Sequence, residues 1–437
     1  MSSGPDFEIR HADWLSVADA QRRVLERAAP LPGEWVPLAA AVGRALAQDV
    51  SATATLPPWD NAAMDGYAVR GRDVEGASPA APVTLRVSGI IRAGGRPDLA
   101  VQAGQAVRIM TGAPVPRGAD TVVRVEDTDA EAEPGLVRVV RDRDVGRHVR
   151  PGGQDMKPGD AVLDRGDSIH PGTVGVLAAL GHERAFVHRA PTVALLTTGD
   201  ELRAADRYDD VRQGAGVPES NGPMLAAAVA ALGGEPLPSG IVPDDEGALR
   251  DAVAATAGAD VLVTVGGASM GEADLVKRVL DGEGFKQDFW RVNMRPGSPF
   301  SFGWLPRGDT FQPVFGLPGN PASAFVTFEL FVRPFLLALA GHRAVHPLRI
   351  RGQAAQEFRS GKRTLFVRVT LDTTTMPPGV HGTGPQGSGL VRSLAAAQGL
   401  AVVPALANLM PGDDVDVILL DAPAARGQAS PLEGTDT

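Results

Sequence analysis

The stretch DVLVTVGGASMGEAD (260–274) decides the fold of this chain. An apolar run of strand length leads into the pair Gly266-Gly267, and a helix is expected to follow Ser269 and Gly271. A glycine-rich turn at the C-terminal end of a buried strand lets backbone N–H groups approach an anionic ligand, and the helix N-terminus adds its dipole. A tight turn without a ligand explains a single cluster of this kind equally well.

The segments around this stretch alternate between strands and helices. Apolar runs at 193–197, 233–242 and 260–267 are separated by helix-like intervals at 222–232, 245–257 and 272–281, which predicts a parallel α/β sheet. A second strand-turn-helix edge is VFGLPGNPASAFVTFELF (314–331), where Asn320 and Ser323 could face phosphate or pterin-like atoms. Two such edges in one sheet favour a bound ligand. The run from Phe325 to Ala340 is expected to be a buried helix with a kink or break at Pro334.

The regions on either side of this α/β segment have different sequence patterns. Residues 16–29 predict a first helix with Ser16 as its N-cap. Short apolar runs divided by Gly and Pro predict β-rich structure from about 55 to 165, and short strands return beyond 345 as a small all-β domain.

Composition excludes several classes of function. The chain has 437 residues, enough for three or four domains, and no cysteine, which excludes thiolate nucleophiles, Cys-ligated zinc, iron–sulfur clusters and disulfides. A net charge of −10 argues against a nucleic-acid binder, and the low aromatic content argues against base stacking. The first ten residues lack the apolar core of a secretory signal, and no apolar run is long enough to span a bilayer. We therefore expect a soluble, cytoplasmic protein.

Carboxylates follow the predicted strands. Asp200 and Glu201 come directly after one strand, Asp244 and Asp245 after another, and Asp274 after the glycine-rich turn. Taken singly, each fits a helix cap or a solvated residue. As a set at an edge that binds phosphate, they require a hard cation, and oxygen-only ligands suit Mg²⁺.

Three further features remain open to more than one interpretation. Arg291 and Arg295 lie beside a Pro-Gly turn and could bind an oxyanion, although each alone also fits a solvated arginine. Asp65-Gly66 is by itself a hairpin signal. The spacing G-x-S-x-G around Ser269 also matches a hydrolase nucleophile elbow. The histidines that follow it (His342, His346 and His381) do not lie in segments expected to be catalytic, so a serine hydrolase is only a weak alternative.

Taken together, the motifs resemble those of the molybdopterin molybdenumtransferase (MoeA) family, which is shared with the E domain of gephyrin. The matching segments run in family order across nearly the whole chain: DNAAMDGYAVR (60–70), IMTGAPVPRGADTVV (109–123), TTGDEL (197–202), ESNGPML (219–225), GGASMGEAD (266–274), FWRVNMRPGSPFSFG (289–303) and GLPGNPASAFVTF (316–328).

The resemblance implies a multidomain α/β plus β fold. Its expected parts are a helical and extended N-terminal domain (1–55 with 140–190), a β-rich lid domain carrying DGYA (56–139), an α/β domain of molybdopterin-binding type (191–342), a C-terminal small β-barrel (343–424) and a disordered tail (425–437).

The resemblance also implies an activity. Such enzymes are homodimers that take adenylated molybdopterin from a partner, the molybdopterin adenylyltransferase, hydrolyse it with Mg²⁺ and insert molybdate into the dithiolene, releasing AMP. A molybdopterin adenylyltransferase and a non-catalytic gephyrin-like scaffold module are the alternatives; the near-complete set of acidic positions argues against the scaffold.

The resemblance assigns roles to individual residues. Catalytic roles fall on Asp65, Glu201, Asp244 and Asp274, and metal binding on the last three, with Asp245 as an alternative to Asp244. Asp65 and Thr111 would face the other subunit's cleft. Substrate-binding roles fall on Thr111, Asp155, Gly266, Gly267, Ser269, Arg291, Arg295, Ser298, Pro318, Gly319, Asn320, Pro321 and Ser388.

The loop RPGSP (295–299) departs from the family pattern K-P-G-K-P. Arginine replaces the first lysine, which changes a point donor into a planar fork. Ser298 replaces the second lysine, so a hydrogen-bonding group remains but a cation is lost. The nearby stretch QGSG (386–389) fits the family, whereas AAAQGLAVVP departs from it, which bears on Ser388 and Arg368.

Overall fold

The computed structural model describes residues 14–96, 98–266 and 275–420. The chain divides into two compact units. The first contains Met1–Gln48, Gly166–Val174 and Glu183–Thr437, and the second contains Asp49–Arg165 and Gly175–His182. The finer division expected from the sequence remains a prediction, and the expected tail at 425–437 lies outside the described residues.

The first unit begins with the predicted helix. Helix α1 (Val17–Leu25) starts at Ser16, whose hydroxyl accepts a hydrogen bond from the Asp19 N–H at 3.0 Å, which confirms Ser16 as the N-cap. The helix ends at Leu25, earlier than the predicted 29, with Glu26 as its C-cap. Strand β1 (Gly33–Pro37) and the short helix α2 (Leu38–Ala41) follow.

The second unit is built from short strands, with no α-helix among its described residues between 49 and 165. Its central sheet has the strand order β7-β4-β6-β5-β8. The strands are β2 (Val50–Ser51), β3 (Asn61–Ala62), β4 (Gly66–Val69), β5 (Val83–Ile91), β6 (Gln105–Ile109), β7 (Thr121–Arg124), β8 (Leu136–Val139), β9 (Val149–Arg150) and β10 (Ala161–Leu163). Helix α3 (Pro171–Ala179) comes next along the chain.

The first unit resumes with β11 (Arg184–His188), which pairs antiparallel with β1. A six-stranded sheet follows, in the order β15-β12-β16-β20-β19-β17. Its elements and their connections are β12 (Thr192–Thr198), β13 (Leu202–Arg203), α4 (Tyr208–Arg212), β14 (Val217–Pro218), α5 (Asn221–Ala231), β15 (Glu235–Val242), α6 (Glu246–Ala255), β16 (Val261–Val265), α7 (Leu275–Gly282), β17 (Lys286–Trp290), β18 (Met294–Arg295), β19 (Ser301–Arg307), β20 (Thr310–Leu317), α8 (Pro321–Thr327) and α9 (Arg333–Leu339).

The four strands predicted for the parallel sheet are parallel, and two further strands that the sequence did not indicate, β19 and β17, extend it. Strands β15, β12, β16 and β20 are parallel neighbours, whereas β19 pairs antiparallel with both β20 and β17. The reason is the two-residue connection Gly308-Asp309 between β19 and β20, which is too short for a crossover and forces a hairpin.

A long buried helical run crosses this region. A π-helical segment, Phe328–Val332, joins α8 to α9 and ends just before Pro334, where a kink or break was predicted. Proline has no N–H for the regular ladder, and the wider π turn accommodates the change. By length and composition Pro321–Leu339 could cross a membrane, but it is 78% buried within the protein, as the core helix of a folded domain is.

The C-terminal region forms a closed small β-barrel, as predicted. Five strands pair in a ring in the order β23-β24-β21-β27-β25, and β23 and β25 close it; β18 joins β23 from outside. The elements are β21 (Arg349–Ala354), β22 (Phe358–Arg359), β23 (Thr364–Asp372), β24 (Gly379–Gly382), α10 (Arg392–Ala396), β25 (Gly399–Val403), β26 (Asn408–Leu409) and β27 (Asp414–Leu419).

Candidate active site

The first unit contains a cavity of about 420 Å³ between the end of the α/β sheet and the barrel. The polar and charged side chains that line it are Arg295, Ser298, Asn320, Ser323, Arg359, Ser360, Lys362, Arg363, Gln386 and Ser388. Four of them are cationic and none of the described lining residues is acidic. Several positively charged groups with convergent hydroxyls are the chemistry that binds an oxyanion.

The turn LPGNP forms one wall of this cavity. Strand β20 ends at Leu317, and Pro321 opens α8 at a position where a missing N–H costs nothing. The turn is tied to the start of α5, because the Asn221 side chain donates to the Gly319 carbonyl at 2.7 Å. A Cβ built on Gly319 would lie 3.7 Å from the Gly266 Cα, so the two predicted glycine turns are neighbours.

Gly266 itself requires glycine. Its φ is +95°, and a Cβ would lie 2.8 Å from the Thr198 carbonyl oxygen at the end of β12. The ends of β12, β16 and β20 therefore meet at one edge, as the sequence predicts. Gly267, Ser269 and Asp274 lie outside the described residues.

The loop RPGSP forms a second wall. Arg295 is exposed and lines the cavity. Ser298 is 8% exposed, and its hydroxyl lies 2.8 Å from the Met294 carbonyl oxygen and 3.1 Å from that of Val292. The same hydroxyl accepts a hydrogen bond from Arg363 Nη1 at 3.1 Å. Ser298 thus lines the cavity and also holds the loop and an arginine of the barrel.

Arg291 lies elsewhere and does not line the cavity. Its guanidinium stacks over the Trp290 ring at 3.9 Å from the centroid and is 5.4 Å from that of Trp14. Burial, and then the positive charge of Arg363, lower the pKa of Arg291. Its φ of +71° is unusual for a residue with a side chain. The described contacts of Arg291 are therefore those of a cation stacked on indole rings, and its role in substrate binding remains a prediction.

Three cations of the cavity were missed by the sequence analysis. Arg359, Lys362 and Arg363 lie in the segment RSGKR, which connects β22 to β23 on the barrel. A turn with three basic residues is a local signal, but nothing in the sequence places it beside the loop RPGSP more than 60 residues earlier.

The QGSG stretch is held by a buried arginine. Arg368 is fully buried; its Nε donates to Ser393 Oγ at 2.7 Å and its Nη2 to the Gly387 carbonyl at 3.2 Å. Burial lowers its pKa. The carbonyl of Ser388 accepts from the Ala322 N–H at 2.9 Å, which places this loop on the first turn of α8. Arg368 therefore acts on the cavity through the loop and not as a ligand.

The carboxylates at the other strand ends have separate contacts. Asp200 and Asp244 exchange hydrogen bonds, each carboxylate accepting from the other's backbone N–H, at 3.1 and 3.4 Å. Asp245 caps α6 by accepting from the Ala248 N–H at 2.9 Å. Of Asp244 and Asp245, it is therefore Asp244 whose described contacts are with the end of the neighbouring strand β12. Glu201 is exposed beside them. No three acidic or histidine side chains form a metal cluster within the described residues, which do not include Asp274.

In the second unit, Asp65 and Thr111 are in direct contact. Asp65 Oδ1 accepts from both the N–H and the hydroxyl of Thr111 at 2.7 Å, so Asp65 joins the loop after β6 to the start of β4 instead of forming a tight turn. These hydrogen bonds, the backbone one first, lower the pKa of Asp65. Both side chains are exposed.

Asp155 also belongs to the second unit. It lines a separate cavity of about 480 Å³ together with Asn61, Gly112, Arg150 and Gln154. The structure therefore brings Asp155 near Gly112, the neighbour of Thr111, although their positions in the sequence are more than 40 residues apart.

Comparison with known proteins decides the family. Residues 15–181 match the MoeA N-terminal region (domain I and II), 194–338 the probable molybdopterin binding domain, and 351–420 the MoeA C-terminal region (domain IV). This chain belongs to the molybdopterin molybdenumtransferase family.

Relatives and solved structures agree with this assignment. The molybdopterin molybdenumtransferase of Nostoc sp. is 37% identical over 395 residues, covering 89% of both chains. Molybdopterin molybdenumtransferase 2 of Mycobacterium tuberculosis is 37% identical over 398 residues, covering 89% of this chain and 95% of the relative. A crystal structure of the molybdopterin biosynthesis moeA protein from Pyrococcus horikoshii OT3 superposes with a TM-score of 0.80 at 27% identity, covering 93% of this chain and 100% of that one.

Family membership confirms the coarse sequence prediction. The chain is an enzyme of molybdenum-cofactor biosynthesis with a MoeA-like multidomain fold, a molybdopterin-binding domain and a closed β-barrel in its C-terminal region. The additional matches on both sides of the molybdopterin-binding domain distinguish this chain from a protein that consists of that domain alone. The roles of individual residues remain predictions.

Proposed function

We propose that this enzyme hydrolyses adenylated molybdopterin with Mg²⁺, inserts molybdate into the dithiolene and releases AMP, and that the cationic cavity of the first unit binds the molybdate. The observation that carries the proposal is the cavity itself: Arg295, Arg359, Lys362 and Arg363 converge there with no acidic residue in the described lining. A tetrahedral dianion is the ligand that such a set of donors favours.

The size and polarity of the cavity support a small anion with part of a larger substrate. Ser323 is 4% exposed and lies on the first turn of α8 with its side chain in the lining, and Ser388 approaches from the barrel. These hydroxyls and the amide of Asn320 can donate to oxygens without adding charge. We infer that they orient the oxyanion while the guanidinium and ammonium groups supply most of its attraction.

The acidic strand ends fit a magnesium ion in chemical type. Glu201 and Asp244 offer carboxylate oxygens at the ends of neighbouring strands, and Mg²⁺ commonly binds one or two carboxylates and completes its shell with water and substrate phosphate oxygens. We propose that these two residues, with Asp274, would hold it. When bound, the ion would stabilise the negative charge that develops on pyrophosphate oxygens as AMP leaves.

Within this scheme the chain's own residues have three tasks. The strand-end carboxylates orient the phosphate end of the substrate, the cavity cations hold molybdate near the dithiolene, and the LPGNP turn shapes the space between. We further propose a cytoplasmic homodimer supplied by a molybdopterin adenylyltransferase, with Asp65, Thr111 and Asp155 serving a cleft shared between subunits. The exposed position of Asp65 and Thr111 supports this role.

The test is anaerobic turnover of adenylated molybdopterin with molybdate and Mg²⁺, following AMP release and reconstitution of an apo-molybdoenzyme. We expect molybdate-dependent AMP release and active cofactor, both abolished by EDTA and by Asp274→Ala. Accumulation of adenylated product from molybdopterin and ATP would instead identify an adenylyltransferase. If the folded protein shows neither activity, the scaffold alternative is favoured. An activity that is lost in Ser269→Ala but is insensitive to EDTA would favour a hydrolase.

A further inference from the structure

We propose that Trp14 is a positioning residue of the cationic cavity, because its indole ring holds the guanidinium of Arg363 in the orientation in which it binds the anion. The proposal rests on the oxyanion function proposed above. It adds a residue that does not line the cavity and that comes from the N-terminal end of the described chain.

The guanidinium of Arg363 is held on two sides. Its Cζ lies 4.5 Å from the centroid of the Trp14 ring, and its Nη1 donates to Ser298 Oγ at 3.1 Å. Neither partner carries a negative charge, and no acidic side chain of the described residues forms a salt bridge with Arg363. The cation is therefore fixed in place without being neutralised, and its remaining donors stay available to an anion.

Trp14 is itself fixed by the backbone. The carbonyl of the next residue, Leu15, accepts from the Asn293 N–H at 2.9 Å, and Leu15 forms a parallel bridge with Val292. Helix α1 follows at once and buries Ala20 and Val24 in the core. The indole is thus anchored beside the same loop that carries Ser298.

Fixing the arginine in advance favours binding. A free arginine side chain loses much rotamer freedom when it binds an anion, and one that is already held loses less. Ser298 contributes no charge of its own, so at this point of the cavity wall the anion depends on the guanidinium that Ser298 and Trp14 hold. The strength of an indole–guanidinium contact corresponds to an effect of about 3- to 10-fold on the dissociation constant.

The experiment measures molybdate binding to the full chain by titration calorimetry. Trp14→Leu removes the π face and keeps an apolar side chain, Trp14→Phe keeps a weaker π face, and Arg363→Ala removes the cation. The control is Trp35→Leu, which removes an indole that is 48% exposed on β1 and does not contact Arg363. Near-ultraviolet circular dichroism and thermal unfolding establish that each variant is folded.

We expect Trp14→Leu to raise Kd for molybdate by about 3- to 10-fold and Trp14→Phe by a smaller factor of about 2, whereas Trp35→Leu should leave Kd unchanged. In the Arg363→Ala background, Trp14→Leu should change Kd by less than about 2-fold, because the effect passes through the arginine.

Two results would overturn the proposal while leaving the function intact: an unchanged Kd in folded Trp14→Leu, or the same loss of affinity in both backgrounds. If Trp14→Leu does not fold, Trp14→Phe decides: a loss of affinity that disappears in the Arg363→Ala background supports the proposal, and an unchanged Kd overturns it. If the wild type and Arg363→Ala bind molybdate equally weakly, the proposed function of the cavity fails together with the inference.

Discussion

Replacing Arg368 by methionine is expected to open the loop that carries Ser388. The guanidinium makes hydrogen bonds of 2.7 Å to Ser393 Oγ and 3.2 Å to the Gly387 carbonyl, and each such bond from a charged donor contributes about 1.5–3 kcal/mol. Methionine fills a similar volume but donates nothing. The gross loss is therefore about 3–6 kcal/mol.

Part of this lost free energy is recovered in the methionine variant, because burying the charged arginine side chain is itself unfavourable. It is fully buried, burial lowers its pKa, and no carboxylate among the described residues is paired with it. Removing the cation removes that desolvation cost. We expect a net loss of about 2 kcal/mol, confined to the loop and its contacts, which corresponds to an increase of about 30-fold in the frequency of local opening.

Hydrogen exchange measures this opening directly. The Ala322 N–H donates to the Ser388 carbonyl, so a peptide containing Ala322 should exchange about 30-fold faster in Arg368→Met than in the wild type. Arg368→Lys should give an intermediate rate, because an ammonium keeps the charge and lacks the planar fork. Arg351→Met, the same substitution at a barrel side chain that is 64% exposed, is the matched control and should leave exchange at Ala322 unchanged.

Exchange that is unchanged or slower in Arg368→Met would show that desolvation outweighs the hydrogen bonds, and would refute the reasoning. Equal acceleration in Arg351→Met would show that the effect is a general loss of barrel stability and not a property of this loop.

Three further predictions concern stability, charge and binding. Burial alone would raise the pKa of Asp144, but hydrogen bonds, chiefly from Arg124, hold it at about 2. The ionised form therefore contributes about 2 kcal/mol of stability above the ordinary pKa, and this contribution is lost as pH falls toward 2. Because other carboxyl groups such as Asp260 also have a lowered pKa, thermal unfolding from about pH 5 to about pH 2 should show a loss that is about 2 kcal/mol larger in the wild type than in Asp144→Asn. Asp65→Asn keeps the oxygen that accepts from both Thr111 donors and removes the negative charge. The variant should therefore keep the wild-type melting temperature yet lose AMP release. Unchanged turnover would exclude a role for the charge. Arg295→Ala should raise Kd for molybdate by about 10-fold and Arg295→Lys by much less, whereas equal losses in calorimetry would mean that the guanidinium geometry is essential.

The sheet edge could be predicted because its signals are local. Strands β12, β16 and β20 are buried on both faces, so each appears as a continuous apolar run followed by glycine or proline. Strands β17 and β19 were not predicted, and the reversed direction of β19 depends on its two-residue turn to β20 rather than on hydrophobicity. Local sequence therefore determines the edge formed by the parallel strands, and one short connection determines the direction of β19.

The binding site was harder to predict, because its contacts join distant segments. Arg363 donates to Ser298 across 65 residues, and no motif in either segment indicates the other. The sequence also did not show that Asp245 rather than Asp244 caps α6, because both residues follow the strand and both can cap a helix. Sequence patterns give the residue types of a site, whereas the partners of each side chain come from tertiary packing.

Acidic and basic side chains lie at opposite ends of the sheet edge, so a ligand that crosses this edge meets different charges at its two ends. The carboxylates Asp200, Glu201 and Asp244 follow β12 and β15, whereas the cations of the cavity lie beyond β20, on the barrel side. Between them are the neighbouring turns at Gly266 and Gly319, which have no side chains to obstruct a ligand. In a chain with a net charge of −10, an anion is attracted by the local cluster and not by the overall field, whose range in physiological salt is about 8 Å. Under the proposed function, a substrate with phosphate at one end would lie across the glycine turns in one orientation, because a magnesium ion on the carboxylates would accept the phosphate whereas the cationic cavity holds molybdate without a metal.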